Sequence, residues 1–146
     1  MGETTLEALR SALAAEHVAV YTYGVLGART SRSAEPTLAT SLGAAYVAHR
    51  GRRDVLVRSI RDLGVEPDAA APAYDVTRNL GTPARVAAVA LDLERGTAAT
   101  YADLVAATVD LQRRWAIEAL NDAAARELQF GGRPGNFPGL TEFADR

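Results

Sequence analysis

Apolar side chains recur at alternating steps of three and four along four stretches of the chain, and none alternates polar and apolar with period two for long. In the first stretch Leu6, Leu9, Leu13, Glu16, Val20, Tyr23 and Gly27 form one seam, which predicts a helix over about 5–28. Thr4-Thr5-Leu6-Glu7 has the form of a capping box and sets its start at Thr4. The second seam reads Leu42, Tyr46, His49, Arg53, Leu56, Ile60, Leu63, giving a helix over about 37–63 closed by Gly64. Thr82-Pro83 pairs an N-cap with a proline at the first helical position. A third helix over about 83–108 follows, with Ala87, Ala90, Glu94, Thr97, Tyr101, Leu104 and Thr108 along one stripe. Asp110 is placed to cap a fourth over about 110–129, whose stripe is Leu111, Arg114, Glu118, Asn121, Ala125, Leu128. The tail, 130–146, is too rich in Gly and Pro to be helical, and Phe137, Leu140 and Phe143 are expected to fold back onto the helices.

The connections set the topology. Arg29 to Pro36 is a short polar link, which implies antiparallel neighbours. Residues 64–82 are rich in Pro and Ala, and Pro72 and Tyr74 are expected to pin this segment to the surface. A helix of about 25 residues is roughly 37 Å long at 1.5 Å per residue. About eighteen residues of extended chain reach further than that at ~3.3 Å each. The segment can therefore travel the whole length of a bundle between helices two and three. The fold expected is all-α: a single four-helix bundle with one long crossover.

Composition narrows the chemistry. With 146 residues and 48% hydrophobic residues, the chain can bury a core without staples. A net charge of −2 gives no field suited to nucleic acid, and no nucleic-acid partner is expected. All 16 basic residues are Arg, in keeping with a high-GC coding bias. The absence of Cys excludes disulfides, thiolate catalysis and Cys-ligated metals. No basic segment followed by an apolar one opens the chain, and no apolar run approaches the ~18–20 residues of a membrane span, so a cytoplasmic protein without a membrane partner is expected. No phosphate loop, nucleophile elbow or Ser/His/Asp arrangement occurs.

The candidate chemistry lies where the seams turn polar. Glu16, then Tyr46 with His49, then Glu94, then Glu118 with Asn121 fall near the middle of the four helices. Three buried carboxylates cost several kcal/mol each unless compensated. The compensator is either a divalent metal or the nearby Arg53 and Arg114 together with the imidazole and phenol. His17 sits about 100° round the helix from Glu16, at a helix boundary, and Trp115 is read as packing. Arg50, Arg52, Arg53, Arg58 and Arg61, interspersed with Asp54 and Asp62, read as a solvated face.

On these residues the chain resembles the ferritin-like superfamily, whose bundles hold two irons with a Glu from helices one and three and a Glu-x-x-His from helices two and four. Glu16 in Glu-His-Val-Ala-Val-Tyr-Thr-Tyr looks like the first-helix Glu. Glu94, seven residues before Tyr101, looks like the third-helix Glu. His49 and Glu118 look like half of each remaining motif, but Tyr46 and Asn121 stand where a Glu and a His would be. Ala-Glu-His-Val-Ala-Val-Tyr-Thr-Tyr-Gly-Val, Ala-His-Arg-Gly-Arg-Arg-Asp, Ala-Pro-Ala-Tyr and Phe-Pro-Gly-Leu resemble an uncharacterised ferritin-like domain of unknown function from high-GC bacteria. That resemblance implies a fold but no activity.

Two main readings follow. In the first, the di-iron centre has degenerated into a buried polar network, the protein is non-catalytic and no cofactor is bound. In the second, a single Fe, Mn or Zn ion held by Glu16, His49, Glu94 and Glu118 serves a redox or hydroxylating enzyme. A carrier of a small organic molecule is a third possibility, which a pocket leading to His49 and Glu94 would favour. A homo-oligomer, a dimer in the simplest case, is compatible with all of them.

Overall fold

The computed structural model describes residues 2–133 and 135–140 and contains four helices among them: α1 (Gly2–Ala28), α2 (Pro36–Asp62), α3 (Pro83–Ala107) and α4 (Asp110–Gln129). The described residues are all helix, turn and irregular segment, as the hydrophobic period requires. No described helix is long and apolar enough to cross a membrane.

Local chemistry explains most boundaries. The Thr82 hydroxyl accepts from the Arg85 amide and Pro83 opens α3. At the end of α2, Gly64 takes a positive φ of 76°. Its amide donates to the Arg61 carbonyl and the Val65 amide to that of Ile60, a Schellman ending. Two expectations are corrected. Helix α1 begins at Gly2, before the Thr4 box, and the Thr5 hydroxyl instead donates to the Ala107 carbonyl at the far end of α3. Asp110 is the first residue of α4 rather than its cap; Val109 occupies the cap position, and Asp110 takes a φ of 50°.

The core has two apolar ends. Leu9, Leu13, Leu56, Ile60, Leu104 and Ala116 fill one, joined by Val65. Tyr23, Leu26, Leu42, Ala90 and Phe130 fill the other, joined by Val76 and Leu80. Because Val65 belongs to one end and Leu80 to the other, the segment between α2 and α3 runs the length of the helices, and α2 and α3 point the same way. It is held along α1 by the Tyr21–Tyr74 edge contact (5.7 Å between centroids) and by a hydrogen bond between His17 Nε2 and the Asp68 carbonyl (3.0 Å). Tyr74 thus acts as expected. Pro72 is exposed.

The phase of α4 is also corrected. Leu111, Arg114, Glu118, Asn121, Ala125 and Leu128 are exposed, while Ala116, Ala119, Ala123, Ala124 and Glu127 turn inward. Alanines let α4 approach α3 closely, and close approach outweighs the larger leucines in choosing which face is buried. In the tail, Gly139 (φ 81°) sits so close to α3 that a Cβ there would lie 2.5 Å from the Ala98 carbonyl oxygen. Phe137 and Leu140 remain partly exposed, at 52% and 38%, and Phe143 lies outside the described residues.

Candidate functional site

Between the two apolar ends lies a polar layer that no solvent reaches. Glu16, His49 and Glu94 are 1%, 0% and 0% exposed. The His49 ring lies between the two carboxylates: Nδ1 is 2.6 Å from Glu16 Oε2 and Nε2 is 3.1 Å from Glu94 Oε1. The Tyr101 hydroxyl donates to Glu16 Oε1 (2.7 Å) and the Tyr23 hydroxyl to Glu94 Oε1 (2.5 Å). The result is one hydrogen-bonded chain, Tyr101–Glu16–His49–Glu94–Tyr23, stitched across α3, α1 and α2. Tyr23 also stacks on the imidazole, 5.1 Å between centroids and 24° between planes.

The antiparallel register of α1 and α3 builds this chain. Each helix carries a Glu and, seven residues on, a Tyr: Glu16 and Tyr23, Glu94 and Tyr101. Seven residues are close to two turns, so each pair stays on one face. With the helices antiparallel, the register that sets Glu16 opposite Tyr101 also sets Tyr23 opposite Glu94. His49, from α2, enters between them.

The protonation states follow from donor and acceptor counts. An ionised carboxylate only accepts, so both imidazole nitrogens carry hydrogen when each faces one. Burial alone would lower the His49 pKa. The hydrogen bonds to Glu16 and Glu94, with their charges, outweigh it and raise the pKa above the ordinary histidine value. Burial, then the charge of and hydrogen bond to the facing carboxylate, push both phenols far above the usual tyrosine range. The centre therefore favours the protonated imidazole and keeps both phenols neutral.

Beside it, Arg52 lies buried over the Tyr101 ring, its guanidinium carbon 5.6 Å from the centroid, and forms a short ion pair with Asp122 of α4. Arg126 closes on the same carboxylate at 3.1 Å. Arg53 and Arg114, the arginines expected to neutralise the centre, do not reach it. Arg53 pairs with its neighbour Asp54, and Arg114 is exposed. Among the described residues, Glu94 Oε2 and Arg52 Nη1 are buried without a hydrogen-bond partner.

A family model described as a domain of unknown function (DUF4439) matches residues 8–142. The chain belongs to this family. Its fold is similar to the crystal structure of a conserved hypothetical protein from Mycobacterium tuberculosis, with a TM-score of 0.81, 27% identity and 89% of each chain covered. No curated protein matches it.

Against this family background the four predicted ligands can be placed one by one. Glu16, His49 and Glu94 come together; Glu118 does not, because α4 turns its alanines inward and leaves Glu118 in solvent. Tyr46 is half-buried, beneath the Arg50 guanidinium, and Asn121 is exposed. The three residues that do meet are poorly disposed to hold one ion together. The lone pairs of the two imidazole nitrogens diverge, so an ion on Nε2 beside Glu94 is out of reach of the Glu16 oxygen on Nδ1. That leaves two protein donors on either side of the ring, fewer than the three or four of ordinary zinc and iron sites. No described group of three or more His, Asp or Glu side chains is arranged to hold a metal.

Sequence reasoning missed Arg52, Asp122 and Arg126. The signal for Arg52 was its position three residues after His49, as legitimate a step along a seam as the four that led to Arg53. Trp115 is packing, edge-on to Tyr101 at 5.6 Å.

Proposed function

We propose that this protein is a non-catalytic, cytoplasmic member of the ferritin-like superfamily, in which a proton-held polar network occupies the place of a di-iron centre. The observation that carries this reading is that both ring nitrogens of His49 are engaged by carboxylates, at 2.6 and 3.1 Å. The imidazolium supplies between Glu16 and Glu94 the positive charge that metal ions supply in di-iron bundles. Tyr101 satisfies the second Glu16 oxygen, and Tyr23 shares Glu94 Oε1 with the imidazole. The crossover between α2 and α3 supports the superfamily assignment, since a single long connection is what separates ferritin-like bundles from simple up-and-down ones.

The direct test is ¹⁵N NMR of the His49 ring at neutral pH. Two protonated nitrogens are expected; a neutral or metal-bound ring would sink the proposal. Elemental analysis of protein grown in metal-supplemented medium is the companion measurement, with a metal-to-chain ratio near zero expected. A ratio near one that vanishes in Glu94→Ala would replace this reading with the metal-dependent enzyme. The unpartnered Glu94 Oε2 is the one atom in the centre that favours that second reading.

A further inference from the structure

Helix α4 carries a seam that no described part of the chain covers. Leu111, Arg114, Glu118, Asn121, Ala125 and Leu128 recur at steps of three and four, the spacing of a helix-pairing stripe. All six are exposed, Leu111 by 76% and Leu128 by 62%. The ion pair between Arg52 and Asp122 fixes where this seam lies. Glu118 and Ala125 flank Asp122 by one turn on α4, as Ala48 and Val55 flank Arg52 on α2, so the seam runs along the α2 side of α4. The adjoining stripe of α2 is uncharged and small: Ser41, Ala44, Ala48, Gly51, Val55. A Cβ on Gly51 would meet nothing within 4 Å, so packing within the chain does not call for glycine there.

We propose that a second copy of this chain docks on this face, with the two α4 helices antiparallel about a two-fold axis. The seam matches itself in that orientation. The register that sets Leu111 against Leu128 of the second copy also sets Arg114 against Ala125 and Glu118 against Asn121, and the two-fold repeats each pair in reverse. The leucines meet at both ends. The short Ala125 leaves room for the long Arg114 side chain, and the Asn121 amide donates to the Glu118 carboxylate. A parallel pairing would instead put Arg114 against Arg114 and Glu118 against Glu118, like charges at the centre of the contact. The uncharged stripe of α2 gives the incoming helix a shoulder it can approach closely.

The chain has no cysteine, so introduced ones report without background. Chains carrying Leu111→Cys and chains carrying Leu128→Cys are mixed and oxidised. The 111–128 cross-link should predominate over 111–111 and 128–128, because only opposed positions bring Cβ atoms to about 4 Å. Light scattering should give the wild type twice the mass of the chain. Leu111→Glu/Leu128→Glu should halve that mass while leaving helical circular dichroism and melting temperature of the diluted protein unchanged, since neither side chain is part of the core. A monomeric wild type at its highest soluble concentration would overturn the proposal. So would predominant 111–111 cross-linking, or a dimer indifferent to the double glutamate variant.

Discussion

His49 has the greatest energetic leverage of any single residue, because two buried carboxylates face it and no other cation reaches between them. Replacing it by leucine leaves Glu16 and Glu94 uncompensated, which should cost about 3–5 kcal/mol in denaturant unfolding. Its raised pKa also gives stability a defined pH dependence. The folded state binds the proton more tightly than the unfolded chain does, whose histidine titrates near 6.5. The stabilisation is therefore complete below that pH and is lost as pH rises through the folded value. A stability–pH curve for the wild type should fall on the alkaline side of pH 6.5, and this component should be missing in His49→Leu. Retention of the same slope in the variant would assign it to another group. In the sequence, His49 was legible because it falls in the polar middle of a seam whose ends are apolar. Arg52 was not, because steps of three and four along a helix are equally allowed and only the position of α4 chooses between them.

At the scale of the elements, α1 and α3 act as a matched pair, each carrying a Glu and a Tyr that bond crosswise. Tyr23→Phe and Tyr101→Phe each remove one donor to a buried carboxylate oxygen, and each should cost about 1–3 kcal/mol. Tyr101→Phe should cost the more, because it strips Glu16 Oε1 of its donor whereas Glu94 Oε1 keeps His49 Nε2; a near-zero effect of Tyr101→Phe would mean that the carboxylate finds another donor. The tail depends on a different kind of contact. At Gly139 both the positive φ and the nearby Ala98 carbonyl exclude a side chain. Gly139→Ala should release the tail from α3, seen as faster proteolysis beyond residue 133 with little change in global melting. The helices themselves were legible from period, caps and prolines. The inward face of α4 was not: its regular stripe of larger residues lies outside, and its alanines, which carry little hydrophobic signal, set the packing distance to α3.

For the molecule as a whole, stability should not depend on metal. If the centre is held by protons, a chelator removes no binding free energy and the melting temperature should stay where it was. A fall on chelation, reversed by adding one divalent ion, would contradict that. The sequence by itself determined that the chain is all helical, where its four helices lie, that the link after α2 is long enough to run their full length, and that Glu16, His49 and Glu94 sit at matching depths. These follow from local rules: side-chain period, capping chemistry and the reach of an extended chain. Only the tertiary structure decided which polar side chains meet. Whether His49 faces one carboxylate or two, whether Arg52 or Arg53 turns inward, and whether Glu118 joins the centre or stays in water all depend on the rotation of one helix against another. That rotation is set by packing across the bundle, which turns the alanines of α4 inward and leaves Glu118 in water.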